Sequence, residues 1–127
     1  MNAYGVSLLT FISSTIIDDE NYEISSELRS DAVERISFNE MTHSLPIRVA
    51  EIFPNLLKYE AAAHTISKIT SENFRGLRKL NEINLWKNQI GIIDDNAFDD
   101  QTELRKLHLN ANRISELNEN WFKTLRK

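Results

Sequence analysis

Leu80-Asn81-Glu82-Ile83-Asn84-Leu85-Trp86-Lys87-Asn88-Gln89-Ile90 is the stretch whose reading decides how this chain folds. Apolar side chains stand at Leu80, Ile83, Leu85 and Ile90, with an asparagine at Asn88, in the frame L-x-x-I-x-L-x-x-N-x-I. From Leu80 to Leu104 is 24 positions, and there the frame returns as Leu104, Leu107, Leu109, Asn112 and Ile114. Ile93 and Phe98 are answered at the same offset by Leu117 and Phe122. Self-similarity at a fixed period of about 20 to 50 residues marks a stack of units, none of which buries its apolar face alone.

Moving back 24 positions from the same frame reaches Leu56, Tyr59, Ala61, His64, Ile66, Ile69 and Phe74. His64 then stands where asparagine is expected. A further step, at an offset of 23, places Val33, Ile36, Phe38, Met41, His43 and Leu45. On that reading Met41 takes the asparagine position and polar His43 an apolar one, so the first repeat is degenerate. Four repeats are expected, at about 33–55, 56–79, 80–103 and 104–127, behind a cap-like segment over residues 1–32.

The L-x-L portion of each unit reads as a short strand, whose alternate side chains point to opposite faces. Leucines enter the core, the x residues face outward, and successive strands align as a parallel sheet. The asparagine, turned inward after the strand, bonds backbone groups that the bend would otherwise leave unpaired. Phe74, Phe98 and Phe122 are expected to form an aromatic column on the other side. Residues 71–74 and 94–98 read as single helical turns, with polar or acidic residues ahead of the buried phenylalanine. Gly76 sits where a tight bend favours it, and Pro46 and Pro54 mark irregular loop in the first repeat.

The frame is the consensus core of a leucine-rich repeat. With the connecting phrases Ile52-Phe53-Pro54-Asn55-Leu56, Asn73-Phe74-Arg75-Gly76-Leu77 and Asn96-Ala97-Phe98, residues 33–127 resemble insect extracellular leucine-rich-repeat proteins. Toll-like receptor ectodomains and secreted immune repeat proteins are similar in style. The resemblance implies an α/β solenoid, a short horseshoe with parallel strands on the concave face and loops or short helical turns on the convex face. It also implies a protein-binding role, an extracellular setting and a link to innate immunity. Because Lys127 stands where a fifth repeat would begin, the chain reads as a segment of a longer array.

With 127 residues, 41% of them hydrophobic and 27% charged, one domain of ordinary globular composition is expected. The net charge is −4 and there is no concentrated basic stripe, so nucleic acid is not an expected partner. No cysteine is present, which removes disulfides and thiolate chemistry. No run of about 18 apolar residues exists to span a bilayer. Residues 4–12 form an apolar run that leaves two readings open, a signal peptide or a structural cap. The cap is preferred, because no Lys or Arg precedes the run; extended segments would then cover residues 6–12 and 15–17, followed by an acidic loop at 18–21.

The outward positions fall into four columns, with neighbouring members about 4.8 Å apart. They run Arg35, Lys58, Glu82, Lys106; then Ser37, Glu60, Asn84, His108; then Asn39, Ala62, Trp86, Asn110; and last Glu40, Ala63, Lys87, Ala111. Trp86, an aromatic among small and polar neighbours, has the composition of an interface anchor. A partner-binding patch is therefore expected at Lys58, Glu60, Glu82, Asn84, Trp86, Lys87, Lys106, His108 and Asn110. The bland alternative is that Trp86 packs over Ala62 and Ala63 as surface filler, and that Lys58–Glu82–Lys106 is an exposed charge ladder contributing under about 1 kcal/mol. His64 reads as a structural stand-in for asparagine, since imidazole both donates and accepts. His108 reads as a solvated surface residue, with Glu60 or Asn84 as candidate neighbours.

No nucleophile elbow, phosphate loop or Ser-His-acid arrangement occurs, and the acid pairs Asp18-Asp19, Asp94-Asp95 and Asp99-Asp100 lack calcium-loop spacing. The expected function is non-catalytic, with no cofactor: a rigid sheet face engaging a protein partner. The alternative is an assembly segment that self-associates through the apolar end of its last repeat, where Leu107, Leu109 and Phe122 have nothing to cover them.

Overall fold

The computed structural model describes residues 31, 33–38 and 41–125. The expectations for residues 1–30, and for Asn39 and Glu40, lie outside the described residues. Four strands, β1 (Arg35–Ser37), β2 (Lys58–Glu60), β4 (Glu82–Asn84) and β6 (Lys106–His108), form one parallel sheet in the order β1-β2-β4-β6. A second parallel pair, β3 (Lys68–Ile69) with β5 (Ile92–Ile93), lies further along the repeat and was not foreseen from the sequence. The fold is an α/β repeat solenoid.

The core follows the 24-residue frame. Ile36, Tyr59 and Ile83 occupy matching inward strand positions and are fully buried. Each such side chain contributes on the order of 2 kcal/mol by leaving water, but only because a neighbouring repeat closes over it. Phe38 and Tyr59 meet at 5.7 Å, Tyr59 and Phe74 edge-on at 4.9 Å, and Phe74 stacks on Phe98 at 5.8 Å. The expected column ends there. Phe122 is only partly buried and meets Trp121 edge-on, while Trp121 goes into the core. Its indole N–H donates to the Ile93 carbonyl at 3.2 Å. In the preceding repeat the Ile69 carbonyl receives the Asp94 backbone N–H instead.

The inward asparagine does what the bend requires. Asn88 Oδ1 accepts the backbone N–H groups of His64 and Ile66, and its Nδ2 donates to the carbonyls of Ala61 and Leu85. Asn112 repeats this toward Ile90, Leu85 and Leu109. His64 imitates the amide with a ring: Nδ1 accepts the Thr42 N–H and Nε2 donates to the Phe38 carbonyl, both at 3.1 Å. That pairing requires the neutral imidazole protonated on Nε2. Burial pushes its pKa below the ordinary 6.5, with the Phe38 bond opposing in part.

These bonds correct the alignment of the first repeat. Thr42, Ile66 and Ile90 all donate their N–H to the ladder residue of the next repeat, so they are equivalent. Phe38, Ala61 and Leu85 are equivalent because each directly follows its strand. From 61 to 66 is five positions, but from 38 to 42 only four. The missing residue therefore lies just after the first strand, and the offset then returns to 24. Thr42 is buried at the position assigned to His43, whereas Met41 is 62% exposed and does not stand at the ladder. His43 is exposed and bonds the Thr65 hydroxyl through Nδ1.

The convex connections also depart from the expectation. Residues 71–76 and 94–100 are hydrogen-bonded turns rather than helical turns, and the helical pieces are α1 (Val49–Ile52) and a 3-10 helix at Glu119–Leu125. Asn73 ties its turn to the first repeat, donating from a buried Nδ2 to the Leu45 and Pro46 carbonyls. Gly76 has φ +80°, and a Cβ there would lie 2.9 Å from that of Ala50, so a side chain is excluded twice over.

Candidate functional site

The outward face of the sheet is built by register. Lys58 pairs with Glu82 and Glu82 with Lys106; Glu60 pairs with Asn84 and Asn84 with His108. Alternation along each strand puts these side chains on the face opposite the buried Tyr59 and Ile83. Eight of the expected residues, Lys58, Glu60, Glu82, Asn84, Lys106, His108, Trp86 and Asn110, are thus brought onto neighbouring strands and the residues just beyond them.

Contacts among them are specific. Glu82 is the centre: its carboxylate lies 3.9 Å from Lys58 Nζ and 3.2 Å from His108 Nε2. The expected Lys58–Glu82–Lys106 ladder forms on one side only, and His108 takes the place of Lys106. Of the neighbours expected for His108, Asn84 does stand beside it in register, but the imidazole bonds Glu82, and Glu60 is a strand further away. Glu60 instead accepts a bond from Asn84 Nδ2 at 3.2 Å. Asn84 Oδ1 in turn accepts the Trp86 backbone N–H at 3.0 Å, which fixes the chain carrying the indole.

Trp86 is 42% exposed, and Lys87 Nζ stands 5.6 Å from its ring centroid. Backbone bonds from Ala63 N–H to the Trp86 carbonyl and from Lys87 N–H to the Asn110 carbonyl extend the ladder past the strands, so Ala62, Trp86 and Asn110 remain side by side. The fourth column does not belong to the sheet. Ala63, Lys87 and Ala111 have φ of 63°, 61° and 60°, the left-handed bend that turns the chain toward the ladder residue. Lys87 is therefore a turn residue that folds back over Trp86.

Sequence reasoning passed over three residues that hold the convex side: Asn73, Gln101 and Trp121. Gln101 is fully buried, with Nε2 donating to the Phe74 and Leu77 carbonyls. No period announces it, because its equivalent one repeat earlier, Leu77, is apolar. Two of the acidic residues, Asp94 and Asp100, tie neighbouring repeats together. Asp94 accepts the Ser71 N–H and Asp100 the Gly76 N–H, each joining adjacent repeats.

The leucine-rich repeat family model matches residues 63–114. That stretch is made of leucine-rich repeats. No curated protein matches the sequence. Among solved structures, the repeats are similar to a chain in the crystal structure of the TLR13-ssRNA13 complex, with 28% identity and a TM-score of 0.68. That match covers 74% of this chain and 13% of the other, so these repeats correspond to a small part of the receptor. The resemblance to Toll-like receptor ectodomains thus holds at the level of fold and repeat. Among the described residues, no helix is long and apolar enough to cross a membrane.

Proposed function

We propose that these repeats are a non-catalytic module that binds a protein partner on the outward face of the four-stranded sheet, with Trp86 as its anchor. The observation that carries this reading is the combination of a half-exposed indole with a backbone held by Asn84 and a ring covered on one side by Lys87. Aromatic anchors in a polar surround are where binding energy concentrates, because a rigid, largely apolar surface is removed from water at small entropic cost. Lys58, Glu60, Glu82, Lys106, His108 and Asn110 surround it and set orientation. The likeness to a Toll-like receptor supports a recognition role, extracellular and linked to innate immunity. The test is to obtain a partner with the full chain and remeasure its affinity on Trp86→Ala. A loss of about 30-fold, near 2 kcal/mol, is expected; an unchanged affinity overturns the anchor.

A second reading, assembly through the last repeat, has one observation of its own. Leu107 and Leu109 are only partly buried although Ile83 and Leu85 at the same positions are fully covered, and Leu117 is 75% exposed. Light scattering tests it: association that rises with concentration supports it, and a monomer at every concentration rejects it.

A further inference from the structure

On the reading that the sheet face is a binding surface, we propose that its partner is an acidic, extended peptide segment carrying apolar residues between its carboxylates. The charges that the face has left to offer point to this class of partner. Its carboxylates are already engaged, Glu82 by Lys58 and His108 and Glu60 by Asn84, and Glu82 is only 20% exposed in its side chain. Of its cations, Lys58 is paired with Glu82 and three others are not paired. Arg35, Lys87 and Lys106 are exposed and form no ion pair among the described residues. Arg35 and Lys106 lie on the two outer strands of the sheet, and Lys87 flanks Trp86. Although the chain's net charge is −4, the described residues of this face carry four cations, Arg35, Lys58, Lys87 and Lys106, against the two carboxylates of Glu60 and Glu82, an excess of positive charge.

A partner that meets this face best brings carboxylates to Arg35, Lys106 and Lys87 and an apolar side chain to Trp86. An extended peptide can alternate the two, because successive side chains project in opposite directions. A polynucleotide fits less well. Its phosphates follow one another without a gap and would be driven across Glu60 and Glu82, and the cations here form no continuous stripe.

The experiment uses the full chain and three labelled probes followed by fluorescence anisotropy: a peptide of alternating glutamate and leucine, its counterpart with lysine for glutamate, and an oligouridylate. The glutamate peptide is expected to bind, to weaken with added salt, and to lose about tenfold in affinity with Lys106→Glu, Arg35→Glu or Trp86→Ala. These positions are exposed, so folding is checked by circular dichroism, and Lys106→Gln should give a smaller loss than Lys106→Glu. Failure of the glutamate peptide to bind overturns the charge argument. Binding of the lysine peptide that depends on Trp86 does the same while leaving the sheet face as the binding surface. Glutamate-peptide binding that ignores all three substitutions puts the site elsewhere and overturns both readings. Equal or tighter binding of oligouridylate, lost with Lys106→Glu, overturns the peptide in favour of a nucleic acid.

Discussion

The third and fourth repeats carry nearly the same residues at the same positions and end in different states. Ile83, Leu85, Ile90 and Ile93 are buried; Leu107, Leu109 and Ile114 are partly buried and Leu117 is largely exposed. Residues 80–103 are covered on both sides, residues 104–125 among the described residues on one side only. Burial in a solenoid is thus a property of the neighbour as much as of the side chain. The difference predicts where substitutions will hurt and where they will be absorbed.

The largest contrast should come from trimming the same core position in the two repeats. Leu85→Ala is expected to cost about 3 kcal/mol and Leu109→Ala about 1 kcal/mol, by urea denaturation. Equal costs would mean that the last repeat is as well covered as the third. Hydrogen exchange reads the same contrast without mutation: amides of β4 should outlast those of β6. The partial burial of the fourth repeat's apolar residues puts it at the soft end of the stack.

Next in size is the ladder. Asn88→Ala removes the partner of four backbone groups inside the covered part of the stack, and about 2–3 kcal/mol should be lost. Asn112→Ala, nearer solvent, should cost roughly half of that, since water can replace part of what is removed.

His64 extends the comparison to a third ladder position, with a titratable group where Asn88 and Asn112 have none. Its pKa in the folded state is lowered, so the unfolded chain binds the proton more readily. Its contribution is therefore fully present above about pH 6.5, declines as pH falls below that value through the lower folded one, and is constant beneath both. His64→Asn should abolish that decline in denaturation curves taken across the range; a variant with the wild-type pH dependence would show that the ladder histidine is not its source.

The smallest effect concerns the bend. Ala63 and Ala111 hold a left-handed conformation that costs an L-residue about 1 kcal/mol. Ala111→Gly is expected to stabilise by at most that amount, and a destabilisation would mean the alanine methyl makes a contact worth more than the strain.

Most of the architecture was legible in the sequence because the signal is repeated. Ile83, Leu85 and Asn88 recur at a fixed offset, and alternation along a strand then separates Glu82 and Asn84 from the core without further information. The role of His64 could be read for the same reason: a residue in the ladder position must both donate and accept. What could not be read lay where the period breaks or where contacts are diagonal. The residue missing after β1 was assigned too long a reach, so Met41 and His43 were placed where Thr42 belongs. His108 was matched to its row partners, whereas the imidazole reaches back diagonally to Glu82.

By itself the sequence determined the repeat, its inward and outward sets, and the need for a ladder that satisfies the bend, because each follows from a period and from the bonding capacity of single residues. Only the tertiary structure decided which of those residues are covered and which charges remain free. Trp121 rather than Phe122 enters the core, Lys87 leaves the sheet to lie over Trp86, and Glu82 is paired with Lys58 while Lys106 has no ion pair among the described residues. Each depends on distances of a few ångströms between residues about a repeat apart or on a local bend, and a one-dimensional period carries neither.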